Sequence, residues 1–187
     1  SMLLTWLLSA CIVVVILMAP ALMQKQHAIG AALSLQANCL ATVMLLAGCV
    51  IAGWLVDWIG AAKTLMGGSL LLAVCNWHFF ASQTPDGDGL FFNYGLAGLS
   101  VGVVGVVPYL MVRAFPAPVR FTGISFSYNV AYAIFGGLTP IFVTLILRLT
   151  PLAPAWYVLA LTLVGLLIGM WLYHVERQGA LASDTRL

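Results

Sequence analysis

Residues 3–23 read LLTWLLSACIVVVILMAPALM, a run of 21 residues without a charged side chain. An α-helix rises about 1.5 Å per residue, so a run of this length crosses a hydrocarbon layer of about 30 Å. Five more apolar stretches follow, at residues 33–56, 64–82, 90–114, 122–147 and 155–174. The pattern predicts an all-α integral membrane protein, with six transmembrane helices in a single domain over residues 1–187.

The composition excludes several other classes of protein. Charged residues make up 6% of the 187 and hydrophobic residues 63%, whereas a soluble domain carries roughly 25% charged residues. The net charge of +2 is too small, and the bases too scattered, for a nucleic-acid partner. Strands of about 10 residues that alternate polar and apolar positions are absent, which excludes a membrane β-barrel. Membrane lipid is therefore the predicted surrounding of the chain.

The basic residues divide unequally between the two ends of the predicted helices. Because bases near helix ends favour the cytoplasm, the richer side is predicted to be cytoplasmic, with both termini there, in a bacterial inner membrane. That side carries Lys63, Arg113, Arg120, Arg177 and Arg186, and the other side carries Lys25 and Arg148.

The connection between the second and third stretches, residues 53–63, reads GWLVDWIGAAK. It resembles the GxLxDxxGRRx loop of the major facilitator superfamily, with Ala61 and Ala62 where that family usually has bases. We expect Gly53 to allow a close helix approach, Gly60 to permit the turn, and Lys63 to return toward lipid headgroups. An ordinary turn with a snorkelling lysine is the alternative.

Residues 108–123 read PYLMVRAFPAPVRFTG, which is similar to the PxxxxELFPxxVRxxG stretch of the metabolite:proton symporter branch. Arg113 stands where that branch usually has Glu, so an Asp57 pair with Arg113 or Arg120 would restore the charge balance. The resemblance implies a cytoplasmic gate, and the predicted gate residues are Gly53, Asp57, Gly60, Lys63, Arg113 and Arg120.

The fifth stretch contains the main candidates for solute binding. Ser125, Asn129, Tyr132 and Gly136 follow the spacing i, i+4, i+7 and i+11, which places them on one helix face, and Tyr128 borders it. Uncompensated polar groups are costly in lipid, so this face is predicted to line a cavity, or else to bond neighbouring helices. The same two alternatives apply to the other polar intrusions, Gln36, Asn38, Thr42 and Asn76.

Glycine and proline spacing predicts how the helices pack. Four glycines of the fourth stretch recur three or four residues apart and form one smooth face on which another helix can lie closely; they are Gly95, Gly98, Gly102 and Gly105. Prolines within or at the ends of apolar runs can bend a helix and free a carbonyl; they are Pro20, Pro108 and Pro140.

Topology and loops together resemble the C-terminal six-helix half of a major facilitator transporter. The resemblance implies a half-module that moves a small solute, such as an osmolyte, an amino-acid-like compound or an organic acid, by ion-coupled alternating access. A half cannot enclose a site, so the missing N-terminal half or a second copy is the expected partner. No span holds an acid near its middle, so a proton site would lie in the other half, or the system couples differently.

Two functional classes other than transport fit the sequence less well. An enzyme would need a nucleophile with a base, and Ser125 and Ser127 have no histidine nearby in sequence. His27, His78 and His174 lie at separate helix ends, and the four cysteines read as small apolar side chains, so neither metal nor cofactor is expected. A non-transporting helical assembly or regulatory protein is the alternative to the transporter.

Overall fold

The computed structural model describes residues 1–84 and 89–184, and side chains as far as residue 178. Six helices in these ranges are long and apolar enough to cross a membrane, which confirms the predicted fold class. The predicted position of Arg186 lies outside the described residues. The helices are α1 Met2–His27, α2 Ala31–Ile59, α3 Ala61–Ala81, α4 Leu90–Ala114, α5 Ala117–Leu147 and α6 Ala153–Asp184.

Several helices run past the apolar stretches that predicted them. The apolar stretch of α5 begins at residue 122 but the helix begins at Ala117, and α6 continues ten residues beyond residue 174 to Asp184. Polar residues in water still complete the i to i−4 hydrogen bonds of a helix. Hydropathy therefore located the part of each helix that lies in lipid, and it did not locate the helix ends.

Helices α1 and α4 form the centre of the bundle. In each, 67% of the most apolar 18-residue stretch is buried, against 22% in α2 and 17% in α5. The main helix pairs are α2 with α4, α3 with α6, α3 with α4, and α1 with α5. The outer faces of α2 and α5 are therefore the surfaces that this chain leaves most open.

The pairing has an internal symmetry. If the first three helices are exchanged with the last three, α2–α4 becomes α5–α1, and α3–α6 maps onto itself. The burial agrees, because α1 matches α4 and α2 matches α5. Since successive spans alternate in direction, α1 and α4 cross the membrane in opposite senses, which is the arrangement expected of an inverted-topology repeat.

The glycine face of α4 packs on α2, as predicted. A Cβ added at Gly98 would collide with backbone atoms of Ala41, and one at Gly102 would collide with the backbone of Gly48. At Gly105 the nearest atom would be Cα of Cys49, at 3.3 Å. The two backbones are thus closer than any side chain in the α4 face would permit.

Each of the three prolines follows an irregular segment of helix. The segments are a π-helical Val13–Met18, a 3-10 Gly102–Gly105 and a π-helical Tyr132–Gly136. The residue four positions before each proline lies inside the segment: 16 before Pro20, 104 before Pro108 and 136 before Pro140. Because the proline ring clashes with that carbonyl and supplies no N–H, the helix changes its winding there.

Candidate solute-facing surface and gate

Part of the polar face predicted on α5 is open and carries two stacked aromatic rings. Asn129 is exposed, and its Nδ2 donates a hydrogen bond to the carbonyl oxygen of Ser125 at 2.8 Å. Tyr128 is 37% exposed, and its ring lies 5.5 Å from that of Tyr132 at an interplanar angle of 27°. The fold therefore brings four of the predicted residues together, with the amide of Asn129 and the phenol of Tyr128 at an open surface.

The C-terminal part of the same face, from Tyr132 to Gly136, faces the interior of the bundle. Tyr132 is half-buried and packs against the hydrophobic core. A Cβ at Gly136 would lie 3.3 Å from the Tyr132 ring and 3.9 Å from Cβ of Ser9 on α1. The predicted stripe is consequently exposed surface in one half and helix contact in the other, and the lining of a cavity by the exposed half stays a prediction.

The polar residues of α2 differ in their environment. Gln36 is exposed, whereas Asn38 is half-buried with Oδ1 2.6 Å from the hydroxyl of Tyr94 on α4. That hydroxyl also lies 2.7 Å from the carbonyl oxygen of Val15. A phenol has only one proton to donate, so the Tyr94 hydroxyl can donate to only one of these two oxygens. If the Asn38 amide is flipped, its Nδ2 donates to the Tyr94 oxygen while the Tyr94 hydroxyl donates to the Val15 carbonyl oxygen. Asn38 thereby ties α2 to α4 and α1.

Asn76 lies apart from the α5 surface. It is 1% exposed, and its Nδ2 donates to the Leu72 carbonyl at 3.1 Å and to Ser100 Oγ at 3.4 Å. Its Oδ1 has no hydrogen-bond partner in the described part of the chain. The structure thus places Asn76 between α3 and α4, where bonding to a neighbouring helix was the alternative to solute binding.

Gly60 alone separates α2 from α3, and its backbone conformation requires glycine. Its φ of 89° and ψ of 156° lie in a region that residues with a Cβ essentially never occupy. The Thr64 hydroxyl donates to the Gly60 carbonyl at 2.8 Å, which fixes the start of α3. Gly60 therefore forms the turn between the two helices, and its part in a gate stays a prediction.

The close approach predicted at Gly53 is not made within the chain. Gly53 is exposed, and a Cβ there would meet no atom within 4 Å. The reason is that α2 turns its Gly48 side toward α4, whereas Gly53 lies on the open side. That part of the prediction was wrong for the contacts inside this six-helix bundle.

The bases of the predicted gate contact groups other than Asp57. The guanidinium of Arg113 lies 4.9 Å from the ring centroid of Tyr109, and Arg120 Nε donates to the Phe115 carbonyl at 3.2 Å. Lys63 Nζ lies 6.0 Å from the ring centroid of Tyr173, and Asp57 is exposed. A pair between Asp57 and Arg113 would require Arg113 to leave the Tyr109 ring.

Comparison with known proteins finds carriers. A citrate-proton symporter of Salmonella typhi is 29% identical over an alignment of 145 residues, which covers 73% of this chain and 32% of that protein. A putative proline/betaine transporter of Staphylococcus aureus (strain COL) is 30% identical over 135 residues, covering 68% of this chain and 28% of that protein. The chain is a relative of the major facilitator symporters.

A citrate-proton symporter of Klebsiella pneumoniae also matches, at 29% identity over 141 residues. The chain spans about a third of the length of these major facilitator relatives. No family model matches the chain, and no solved structure matches it. The relationship agrees with the expectation that the chain is not an enzyme.

Sequence reasoning missed a network that joins α1, α5 and α6. Trp6 Nε1 donates to the Tyr157 hydroxyl at 3.1 Å, and that hydroxyl lies 3.0 Å from Thr139 Oγ1. Thr139 in turn donates to the Phe135 carbonyl at 2.5 Å, within the π-helical segment that carries Tyr132. The clue in the sequence was Pro140, which implies free carbonyls upstream that need donors.

Proposed function

We propose that this chain is the C-terminal six-helix half of a secondary transporter that moves a small solute by ion-coupled alternating access. The observation that carries the proposal is the exposed surface of α5. The exposed amide of Asn129 and phenol of Tyr128, in the middle of a span, would be costly against lipid. A water-filled path between two halves gives these groups partners, and it gives the poorly buried α5 helix a function.

The partner in this proposal is a second six-helix unit, either the missing N-terminal half or another copy of the chain. It would cover the outer sides of α2 and α5, where only 22% and 17% of the most apolar stretch is buried. The unequal distribution of bases favours an orientation with both termini in the cytoplasm, and the membrane in this proposal is a bacterial inner membrane.

The chemistry of the α5 surface favours a zwitterionic or neutral solute. Tyr128 and Tyr132 present stacked rings, and a quaternary amine gains about 0.5 to 2 kcal/mol from each cation–π contact. A carboxylic acid would call for a base, and no Lys or Arg lies in the middle of the six spans. The relatives include both a putative proline/betaine transporter and citrate-proton symporters, so both solute classes belong in the test.

The test is solute binding by the reconstituted complete assembly, with a panel of betaine, proline and citrate. Asn129→Ala and Tyr132→Phe are expected to weaken binding of the solute that the parent binds, because each removes a hydrogen-bonding group. Tyr173→Phe, in an exposed tyrosine at the end of α6, is the control. Unchanged affinity in both α5 variants would remove these residues from the site, and an assembly that binds no solute would favour a non-transporting bundle.

For the gate, we propose that Arg113 leaves Tyr109 and pairs with Asp57 in another state of the transport cycle. Asp57→Arg and Arg113→Asp are each expected to lower the transport rate, and the combined exchange is expected to restore part of it. Absence of rescue relative to the single variants would contradict the pair.

A further inference from the structure

A narrow groove runs between α2 and α3, with α4 as its floor. Its volume is about 210 Å³, below the roughly 300 to 1,000 Å³ of sites for drug-sized ligands. Its walls are almost entirely apolar, and they include Ile51 and Leu55 of α2, Leu71 of α3 and Val103 of α4. From Lys63 to Leu71 the groove follows about two turns of α3, so its shape is long and thin.

Gly67 keeps this groove open. It lies on the groove wall, and a Cβ placed there would meet no atom within 4 Å. Its neighbour Gly68 differs, because a Cβ there would collide with the Val103 side chain. The packing of α3 on α4 thus requires a small residue at position 68, whereas at position 67 the structure leaves unfilled space.

One end of the groove carries a single positive charge. Lys63 is exposed and lines the groove at the start of α3, with its amine 6.0 Å from the Tyr173 ring centroid. No acidic side chain lines the groove within the described residues. Ile51 and Leu71 on the rim are 47% and 51% exposed, so the groove is open along an apolar rim.

We propose that this groove binds one acyl chain of an anionic phospholipid, with the lipid phosphate at Lys63. The long apolar channel fits a hydrocarbon chain, and the lone amine at its polar end complements a headgroup with net negative charge. A lysine there reaches the level of the headgroups while its stem lies along apolar surface. This site does not depend on the proposed transport function, because its groove lies away from α5, on the side of α2 that faces α3, and is formed within this chain.

The experiment compares melting temperatures of the purified chain in detergent with added phosphatidylglycerol or phosphatidylcholine. For the parent we expect phosphatidylglycerol to raise the melting temperature by about 5 °C, and phosphatidylcholine to raise it less. Gly67→Leu fills the groove and Lys63→Gln removes the charge, so each is expected to lose most of the phosphatidylglycerol effect. Gly137→Leu, in open space on α5, and Lys25→Gln, at the opposite helix end, are the matched controls.

Bound phosphatidylglycerol counted by native mass spectrometry gives a second readout that does not depend on stability. Loss of one bound lipid in both Gly67→Leu and Lys63→Gln, but in neither control, is the expected result. If Gly67→Leu fails to fold, Gly67→Ala narrows the same space and is measured instead. An equal response in all variants, equal stabilisation by both lipids, or a loss in Lys63→Gln alone would each overturn the groove as the binding site.

Discussion

The two helix pairs related by the internal symmetry, α2–α4 and α1–α5, differ in the atoms that form their contact. In α2–α4 the backbones themselves touch, with Gly102 of α4 against Gly48 of α2. In α1–α5 the contact is made by side chains, where the rings of Trp6 and Phe135 stack at 4.6 Å. The first contact depends on the absence of side chains at the glycines, so a side chain added there would clash with the facing backbone. The second is set by side-chain shape and hydrogen bonds, which other side chains can partly replace.

The largest expected effect comes from placing a side chain in the backbone contact. Gly102→Leu is expected to abolish the folded state, because its Cβ would lie less than 3 Å from backbone atoms that cannot move aside. Yield of monodisperse protein and thermal stability in detergent are the measurements. Gly137→Leu, where a Cβ meets nothing within 4 Å, is expected to fold. Normal stability of Gly102→Leu would refute the rigid nature of α2–α4.

Substitution of Gly60 distinguishes the effect of backbone strain on stability from the effect of a steric clash. A Cβ there meets nothing within 4 Å, but its φ is 89°. Gly60→Ala is therefore expected to lower the free energy of unfolding by about 1 to 3 kcal/mol through strain alone. Gly30→Ala, also in open space but with φ of −56°, should change it little. Equal stability of the two variants in thermal unfolding would show that the turn relaxes freely.

The side-chain contact is tested through Tyr157, whose hydroxyl lies between Trp6 and Thr139. Tyr157→Phe removes both interactions and leaves the Trp6 N–H without this partner. The expected loss in the free energy of unfolding is about 1 kcal/mol. Tyr173→Phe, in an exposed tyrosine of the same helix, is the control, and a loss of the same size there would contradict the network.

The smallest effect on the free energy of unfolding is expected for a substitution at Gly136, the glycine of α5 that faces α1. A Cβ at Gly136 would lie 3.3 Å from the Tyr132 ring, and a small ring shift relieves that contact. Gly136→Ala should therefore change the free energy of unfolding by less than about 0.5 kcal/mol, whereas Gly98→Ala in the backbone contact should be strongly destabilising. Similar losses in thermal unfolding for both would remove the distinction between the two pairs.

Features that depend on neighbours in the chain were predictable from sequence. The spacing of Gly98 and Gly102 identified the contact face of α4, since residues four apart share one side of a helix. The prolines indicated where a helix would bend, and the resemblance of residues 53–63 to the GxLxDxxGRRx loop indicated the turn at Gly60. The open part of the α5 surface, with Asn129, also followed from helix periodicity.

Features that depend on which helices meet were not predictable from sequence. Asn38 and Asn129 both looked like polar intrusions, yet one bonds to Tyr94 and the other stays exposed. The partners Trp6 and Tyr157 are 151 positions apart, so no local pattern connects them. Gly53 fitted a close approach equally well, but the rotation of α2 about its axis, set by its packing on α4, turned that position outward.

The central position of α1 has a consequence for the order of synthesis. About 90 residues separate the end of α1 from the start of α5, its main partner. A ribosome adding about 5 to 20 residues per second needs on the order of 10 s to produce them. During that interval α1 must remain in the bilayer without the helices that later bury it. Its apolar stretch has the highest mean hydropathy of the six, so α1 is stable in lipid on its own. The side of α1 that later lies at the centre of the bundle is therefore first solvated by lipid.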